Sequence, residues 1–143
     1  MPFESEQIEH KQSLAERREI AECIAAFATA SGGAVRVGIA PTGERVGVQI
    51  GRTTLEELAN YIKENTDPPQ FPSITIEGSE DSAVIEVAIE ESPIKPVWAL
   101  GRPIKRVGQT NQRLTREETQ RQLCDLGRSQ AIHDLNALVE EAL

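Results

Sequence analysis

The sequence predicts an α+β fold: a mixed, mostly antiparallel sheet with two to three packed helices and a C-terminal amphipathic helix. Three observations carry that expectation. The capping pattern Ser/Thr-x-x-Glu opens helical-period stretches at Ser13, Thr54 and Thr115. Between and after them lie short β-branched runs punctuated by glycine and proline, as strands and turns require. The segment Ala26–Ile39 reads without interruption as a small-residue helix end, a double-glycine turn and a buried strand.

Taken in order, Gln7–Lys11 is a short strand with Ile8 on one face and Glu9 and Lys11 on the other. Ser13-Leu14-Ala15-Glu16 starts the first helix, which buries Ile20, Ile24, Phe27 and Ser31. Its alanines Ala21, Ala25 and Ala28 leave room for a close neighbour. Gly32-Gly33 ends the helix, because glycine takes the left-handed cap without a Cβ penalty. Ala34–Ile39 is a strand, and Pro41–Glu44 turns it into a partner strand, Arg45–Gln49. The second helix buries Leu55, Leu58 and Ile62 and stops at Asp67-Pro68-Pro69. Pro72–Glu77 and Ala83–Glu90 form a hairpin with Ile85, Val87 and Ile89 inward. Pro93 and Pro96 bracket a linker to two short strands, Val97–Ala99 and Ile104–Val107. A third helix runs from Thr115 to Gly127. Ser129–Leu143 forms a separate helix with Ile132, Leu135, Val139 and Ala142 on one seam. The organisation is one domain over 1–127 and a helix over 128–143. That helix docks on its own domain, contacts a second copy in a homodimer, or leads into a following domain.

At 143 residues the chain suits a single core, and with 3% aromatic residues that core rests on Ile, Val, Leu and Ala. No apolar run reaches membrane-span length, and Met1–Lys11 lacks the apolar middle of a secretory signal. A cytoplasmic protein with no membrane partner is expected. Cys23 and Cys124 have no CxxC partner and read as small buried apolar residues, a disulfide between them being the alternative.

The net charge of −8 argues against a polyanionic partner, but its distribution argues the other way. From Ser92 to Arg116 there are six bases (Lys95, Arg102, Lys105, Arg106, Arg113, Arg116) and no acid, which leaves nine bases against 23 acids elsewhere. At physiological salt the Debye length is about 8 Å, so a distant acidic face is largely screened from a basic one. Arg102, Lys105, Arg106 and Arg113 surround the turn at Val107-Gly108, where a glycine lets backbone N–H groups approach phosphates. Gln109, Thr110, Asn111 and Gln112 add polar donors there. This strand and loop form the candidate grip on a nucleic-acid backbone. With about four phosphate contacts, affinity should fall roughly a hundredfold between 50 and 200 mM salt. A solvated basic loop paired to the protein's own acids is the competing reading, and a protein-interaction module is a third.

Several enzyme classes are excluded. No G-K-[ST] follows Gly32-Gly33, and no G-x-G-x-x-G stands between strand and helix. His10 and His133 lack metal-ligand spacing with either cysteine, and no serine sits in a G-x-S-x-G elbow. Trp98 is the one large stacking candidate near the basic loop, and it reads as core. No small-molecule cofactor is expected.

Four pieces in order resemble the Schlafen/AlbA-type domain family over about Glu4–Leu123: Glu4-Ser5…Ile8-Glu9-His10-Lys11, Ala26-Phe27-Ala28…Gly32-Gly33…Val37-Gly38-Ile39, Lys95-Pro96-Val97-Trp98 and Arg106-Val107-Gly108-Gln109-Thr110. The chain resembles a prokaryotic member, single-domain or truncated. Three positions depart from the family's pattern, with Thr29 in place of Asn, His10 in place of an aromatic and Trp98 in place of Tyr. The resemblance implies a DNA-binding, transcriptional-regulator-type module, with DNA or structured RNA as partner. It also implies an alternative, because relatives that cut structured RNA use a carboxylate trio. Glu4 and Glu9 match two of those positions as catalytic and metal-holding groups for Mg²⁺ or Mn²⁺, with Lys11 on the face of Glu9 to meet developing charge. Ala40-Pro41 stands where the third acid belongs, and Glu44 is the substitute within reach in sequence. Glu4 and Glu9, five apart, share a site only if the chain bends near Ser5.

Overall fold

The computed structural model describes residues 4–142, with the side chains of 128–134 and 141–142 outside that description. Its centre is one helix held between two sheets. The first sheet comprises β1 (Ile8–Lys11), β2 (Gly33–Val37), β4 (Ser73–Ser79) and β5 (Ser82–Ile89), in the order β1-β2-β5-β4. The second comprises β3 (Thr66–Asp67), β6 (Trp98–Ala99), β7 (Arg102–Val107) and β8 (Thr110–Arg113), in chain order. The β1–β2 pair is parallel and the other pairings are antiparallel. The expected mixed α+β architecture therefore holds, divided into two sheets rather than one.

The central helix α1 (Arg17–Thr29) follows a 3-10 turn, Leu14–Glu16. Ser13 Oγ accepts from the Ala15 N–H at 3.0 Å, while Glu16 Oε2 accepts from the Ser13 N–H at 3.3 Å. The capping box predicted from Ser13 thus caps the turn rather than the α-helix itself. One face of α1, Ile20, Cys23, Ile24 and Phe27, packs on Val35, Val37, Ile85 and Val87 of the first sheet and on Leu58 and Ile62 of α2 (Thr54–Asn65). The opposite face, Ala25, Ala26 and Ala28, lies against Val97, Ala99 and Ile104 of the second sheet. Large side chains toward one sheet and alanines toward the other let a single helix serve both. Fully burying Phe27, Ile20 or Ile24 contributes about 1.5–3 kcal/mol each.

Two glycines join α1 to the first sheet. Gly32 takes φ 87°, and its N–H reaches the Phe27 carbonyl at 2.8 Å to close the helix. A Cβ on Gly33 would meet the Phe27 ring at 2.6 Å and the Gln7 carbonyl at 2.7 Å, so only glycine lets β2 lie this close. Thr29 Oγ1 donates to the Ala25 carbonyl and accepts from the Val97 N–H at 3.0 Å, tying the helix end to the second sheet.

Several sequence expectations are corrected. Ser31 lies past the helix and is exposed. Arg45–Gln49 forms no strand; it makes isolated bridges, Ile39 with Arg45 and Val48 with Ala83. Thr53, not Thr54, is the N-cap of α2, and its side chain makes no capping bond. Gln109–Gln112 is not loop throughout, because Thr110–Arg113 pairs with β7 as β8. A single helix, α3 (Arg116–Ala142), replaces the two read on either side of Gly127. A mid-helix glycine costs about 1 kcal/mol, too little to break the helix by itself. Of the predicted seam, Leu135 and Val139 are exposed, while Ile132 and Ala142 lie outside the described side chains. No helix among the described residues is long and apolar enough to cross a membrane.

Candidate nucleic-acid interface

Alternation on β1 and β7 brings opposite charges together across the end of α1. Glu9 and Lys11 lie in register with Val35 and Val37, which face the core. Arg106 is two residues from Ile104, which packs on α1. The two elements meet there. Arg106 Nη2 donates to Glu9 Oε2 and to the Ser5 carbonyl, both at 2.8 Å, and Nη1 donates to Asn111 Oδ1 at 2.8 Å. The guanidinium carbon lies 4.8 Å from the centre of the Phe27 ring, and the side chain is 2% exposed. Asn111 Nδ2 continues to Cys23 Sγ at 3.0 Å, and Lys11 Nζ stands 3.8 Å from Glu9 Oε1. One arginine therefore links the N-terminal segment, β1, α1 and β8.

The sequence singled out Glu9, Lys11 and Arg106. It did not pick out Asn111, Cys23, Phe27 or the Ser5 carbonyl as their partners. Periodicity reports which face a residue takes, and no local signal pairs positions about a hundred residues apart.

The remaining cations divide into two groups. Lys105 Nζ donates to Glu118 Oε2 at 2.5 Å on α3, and Lys95 Nζ to Glu91 Oε1 at 2.6 Å. Arg102, Arg113 and Arg116 are exposed, and no hydrogen bond or ion pair engages their side chains among the described residues. Arg113 opposes Ile104 across the β7–β8 ladder, so Arg102 is its diagonal neighbour, about 7–8 Å away. Gly108 makes the hairpin turn at φ 59°, beside exposed Gln109, Thr110 and Gln112.

Glu118 sits at the start of α3, where Thr115 forms the expected capping box: its Oγ1 accepts from the Glu118 N–H, and Glu118 Oε1 accepts from the Thr115 N–H. Hydrogen bonds from Lys105 first, and then from the Thr115 backbone, hold the Glu118 carboxyl down, from 4.5 to about 2. A carboxyl depressed by folding contributes stability above its unfolded value and loses it as pH falls toward the folded one. The window is thus pH 4.5 down to about 2. Lys105→Met should return the Glu118 midpoint toward 4.5 in a carbon-13 NMR titration and flatten the acid limb of unfolding. An unchanged midpoint would show that the lysine is not the cause.

The cysteines differ. Cys124 is exposed, contrary to the sequence reading, while Cys23 is buried and both are free thiols. Burial pushes the Cys23 thiol up to about 11, a rise the nearby Glu9 carboxylate reinforces. A thiolate-selective reagent at pH 8 should therefore modify one thiol in the native protein and the second only on unfolding. Two fast-reacting thiols would contradict the packing around Asn111.

The carboxylates behave differently from a metal-holding trio. The chain bends at Glu6 and Gln7, and Glu4 Oε1 turns back to accept from the His10 N–H at 3.1 Å. Glu9 faces Arg106 and Lys11 instead, and Glu44 is exposed on its turn. Among the described residues no three or more His, Cys, Asp or Glu side chains gather where they would hold a metal ion. The donor set that Mg²⁺ or Mn²⁺ would need is not assembled by Glu4, Glu9 and Glu44.

The sequence matches the family described as Schlafen, AlbA_2 over residues 4–115. No curated protein matches it. Among solved structures, the DIP2311 protein from Corynebacterium diphtheriae is 19% identical, with a TM-score of 0.64 over 79% of this chain. The chain spans 23% of the length of that protein. The N-terminal domain of an ATP-dependent DNA helicase RecG-related protein from Nitrosomonas europaea is 23% identical with a TM-score of 0.54. That likeness covers 76% of this chain and 82% of the domain. At such identities these structures establish shared fold alone.

Proposed function

The chain belongs to the Schlafen, AlbA_2 family, and from that premise we propose that it is a cytoplasmic, regulator-type module that binds nucleic acid through the β7–β8 hairpin and the start of α3. The single supporting observation is the set of three exposed arginines, Arg102, Arg113 and Arg116, without ion partners among the described residues on an otherwise acidic protein. Gln109, Thr110 and the backbone at Gly108 supply neutral donors beside them. Arg106 and Lys105 serve this reading as supports: they fix the hairpin to β1 and to α3 through Glu9 and Glu118. The binding unit is residues 1–127, with 128–142 as an extension of its last helix. Binding requires neither a metal nor a small-molecule cofactor.

Three phosphate contacts predict an affinity that falls about fortyfold between 50 and 200 mM salt. The test is fluorescence anisotropy with duplex DNA, single-stranded DNA and a structured RNA hairpin at both concentrations. Mg²⁺ or Mn²⁺ is added in a parallel series, with Glu9→Gln as its control. Salt-dependent binding without cleavage is expected. Binding that ignores salt, or none at 50 mM, overturns the reading. Cleavage abolished in Glu9→Gln would replace it with the nuclease alternative.

A further inference from the structure

The acidic side of the molecule carries a second feature, independent of the basic hairpin. From Glu64 to Ile94 there are eight acids and no base. This stretch holds β4, the outermost strand of the first sheet. Six of its seven residues are exposed, Ile74 alone being partly covered. Among the described residues no strand pairs with its outer side, so alternate N–H and C=O groups there lack ladder partners. The strand has no lysine and no internal proline, the usual protections of such an edge, and Glu77 is its single charge.

The edge leads into a groove. Ser73, paired with Ala88 in the β4–β5 ladder, lines one end of a depression of about 470 Å³. Its walls are the Pro68–Phe71 turn and Pro93–Ile94, and Glu90 and Glu91 stand in its lining. Phe71 is 74% exposed and Ile94 46% exposed, although nothing in the fold requires either to be apolar. A bare strand edge, an apolar groove continuous with it and a predominantly acidic surround occur together, the nearby cations being Arg36 on Glu86, Arg45 on Ser82 and Lys95 on Glu91.

We propose that β4 and this groove form the docking site for an extended, basic segment of a partner polypeptide. The segment adds a strand to β4, sets an apolar side chain between Phe71 and Ile94, and brings lysine or arginine to Glu77 and Glu90. Glu91 already holds Lys95 at 2.6 Å, which leaves Glu90 the readier partner. Charge decides against a second copy as occupant. An antiparallel β4 self-pair centred on Ile76 sets Ser79 against Ser73 of the other copy, which carries Glu80 and Asp81 to the Phe71 end, beside Glu90 and Glu91, with Arg45 as the one cation carried along and already bonded to Ser82. The chain's net charge of −8 adds to that repulsion.

The test uses a ten-residue alternating Lys-Val peptide and the same peptide N-methylated at every second residue, which keeps charge and bulk but removes the backbone donors of one edge. The unmodified peptide should bind the full chain and slow amide exchange within β4, and the methylated one should bind at least tenfold more weakly. Phe71→Ala with Ile94→Ala should weaken binding about tenfold, and both positions are exposed enough to change without unfolding the chain. No binding, equal affinity for the two peptides, protection outside β4, or self-association of the chain through β4 without peptide would each overturn the proposal.

Discussion

Arg106→Ala should lower the unfolding free energy by about 3–5 kcal/mol, measured by urea denaturation, the range typical of breaking a buried ion pair from one side. The guanidinium is 2% exposed and the Glu9 side chain 13%, so water replaces little of what is lost. Three acceptors, Glu9 Oε2, the Ser5 carbonyl and Asn111 Oδ1, lose their donor at once, and the Phe27 ring loses the group stacked on it. Arg106→Lys should not restore the loss, because one ammonium does not reproduce the two-nitrogen fork that holds Glu9 and Asn111 together. Lys105→Ala removes a pair that is 30% exposed on both sides and open to solvent screening, and should cost far less. The contrast between neighbours on one strand is the informative result. Equal, small losses would mean that the Arg106 network decorates the fold without supporting it. A single domain has about 5–15 kcal/mol in all, so the alanine variant should be marginal at 37 °C.

What was legible in the sequence follows from how local each feature is. The capping boxes at Ser13 and Thr115, the Ile20-Ile24-Phe27 face and the Gly32-Gly33 turn are written within a few residues, and the structure contains them, whereas the box read at Thr54 does not form. The alanines of α1 predicted a close neighbour, and the second sheet is that neighbour. The division into two sheets was not legible, because alternation in β5 and β7 marks a buried face without saying which sheet buries it. The Arg45–Gln49 segment looked like a strand by composition, but the turns at Gly43 and Gly47, both with positive φ, leave it only single bridges. At the candidate interface the count of bases between Ser92 and Arg116 drew attention to the β7–β8 hairpin and the start of α3. It did not separate Arg106 and Lys105, whose partners Glu9 and Glu118 come from β1 and α3, from Arg102, Arg113 and Arg116, which face water. Charge in a sequence is additive, whereas the availability of that charge depends on which acids the fold brings alongside.

That distinction sets the remaining prediction. Arg102→Gln, Arg113→Gln and Arg116→Gln combined should weaken nucleic-acid binding about a hundredfold at 150 mM salt, since each phosphate neutralised contributes about 1 kcal/mol through counterion release there. The same variant should nearly abolish the salt slope and leave the midpoint of urea unfolding within about 0.5 kcal/mol of the parent, because exposed residues without ion partners add little to the folded state. Arg106 provides the opposite pattern: at low temperature, where its variant is still folded, the salt slope should persist, because that guanidinium faces Glu9 rather than solvent. Measured together, the two variants separate a hairpin that binds from a network that holds the hairpin in place. If the triple variant binds as tightly as the parent and with the same slope, the phosphate grip does not lie on β7, β8 and α3. The acid-free run from Ser92 to Arg116 would then have to be explained by the ion pairs of Arg106, Lys105 and Lys95 alone.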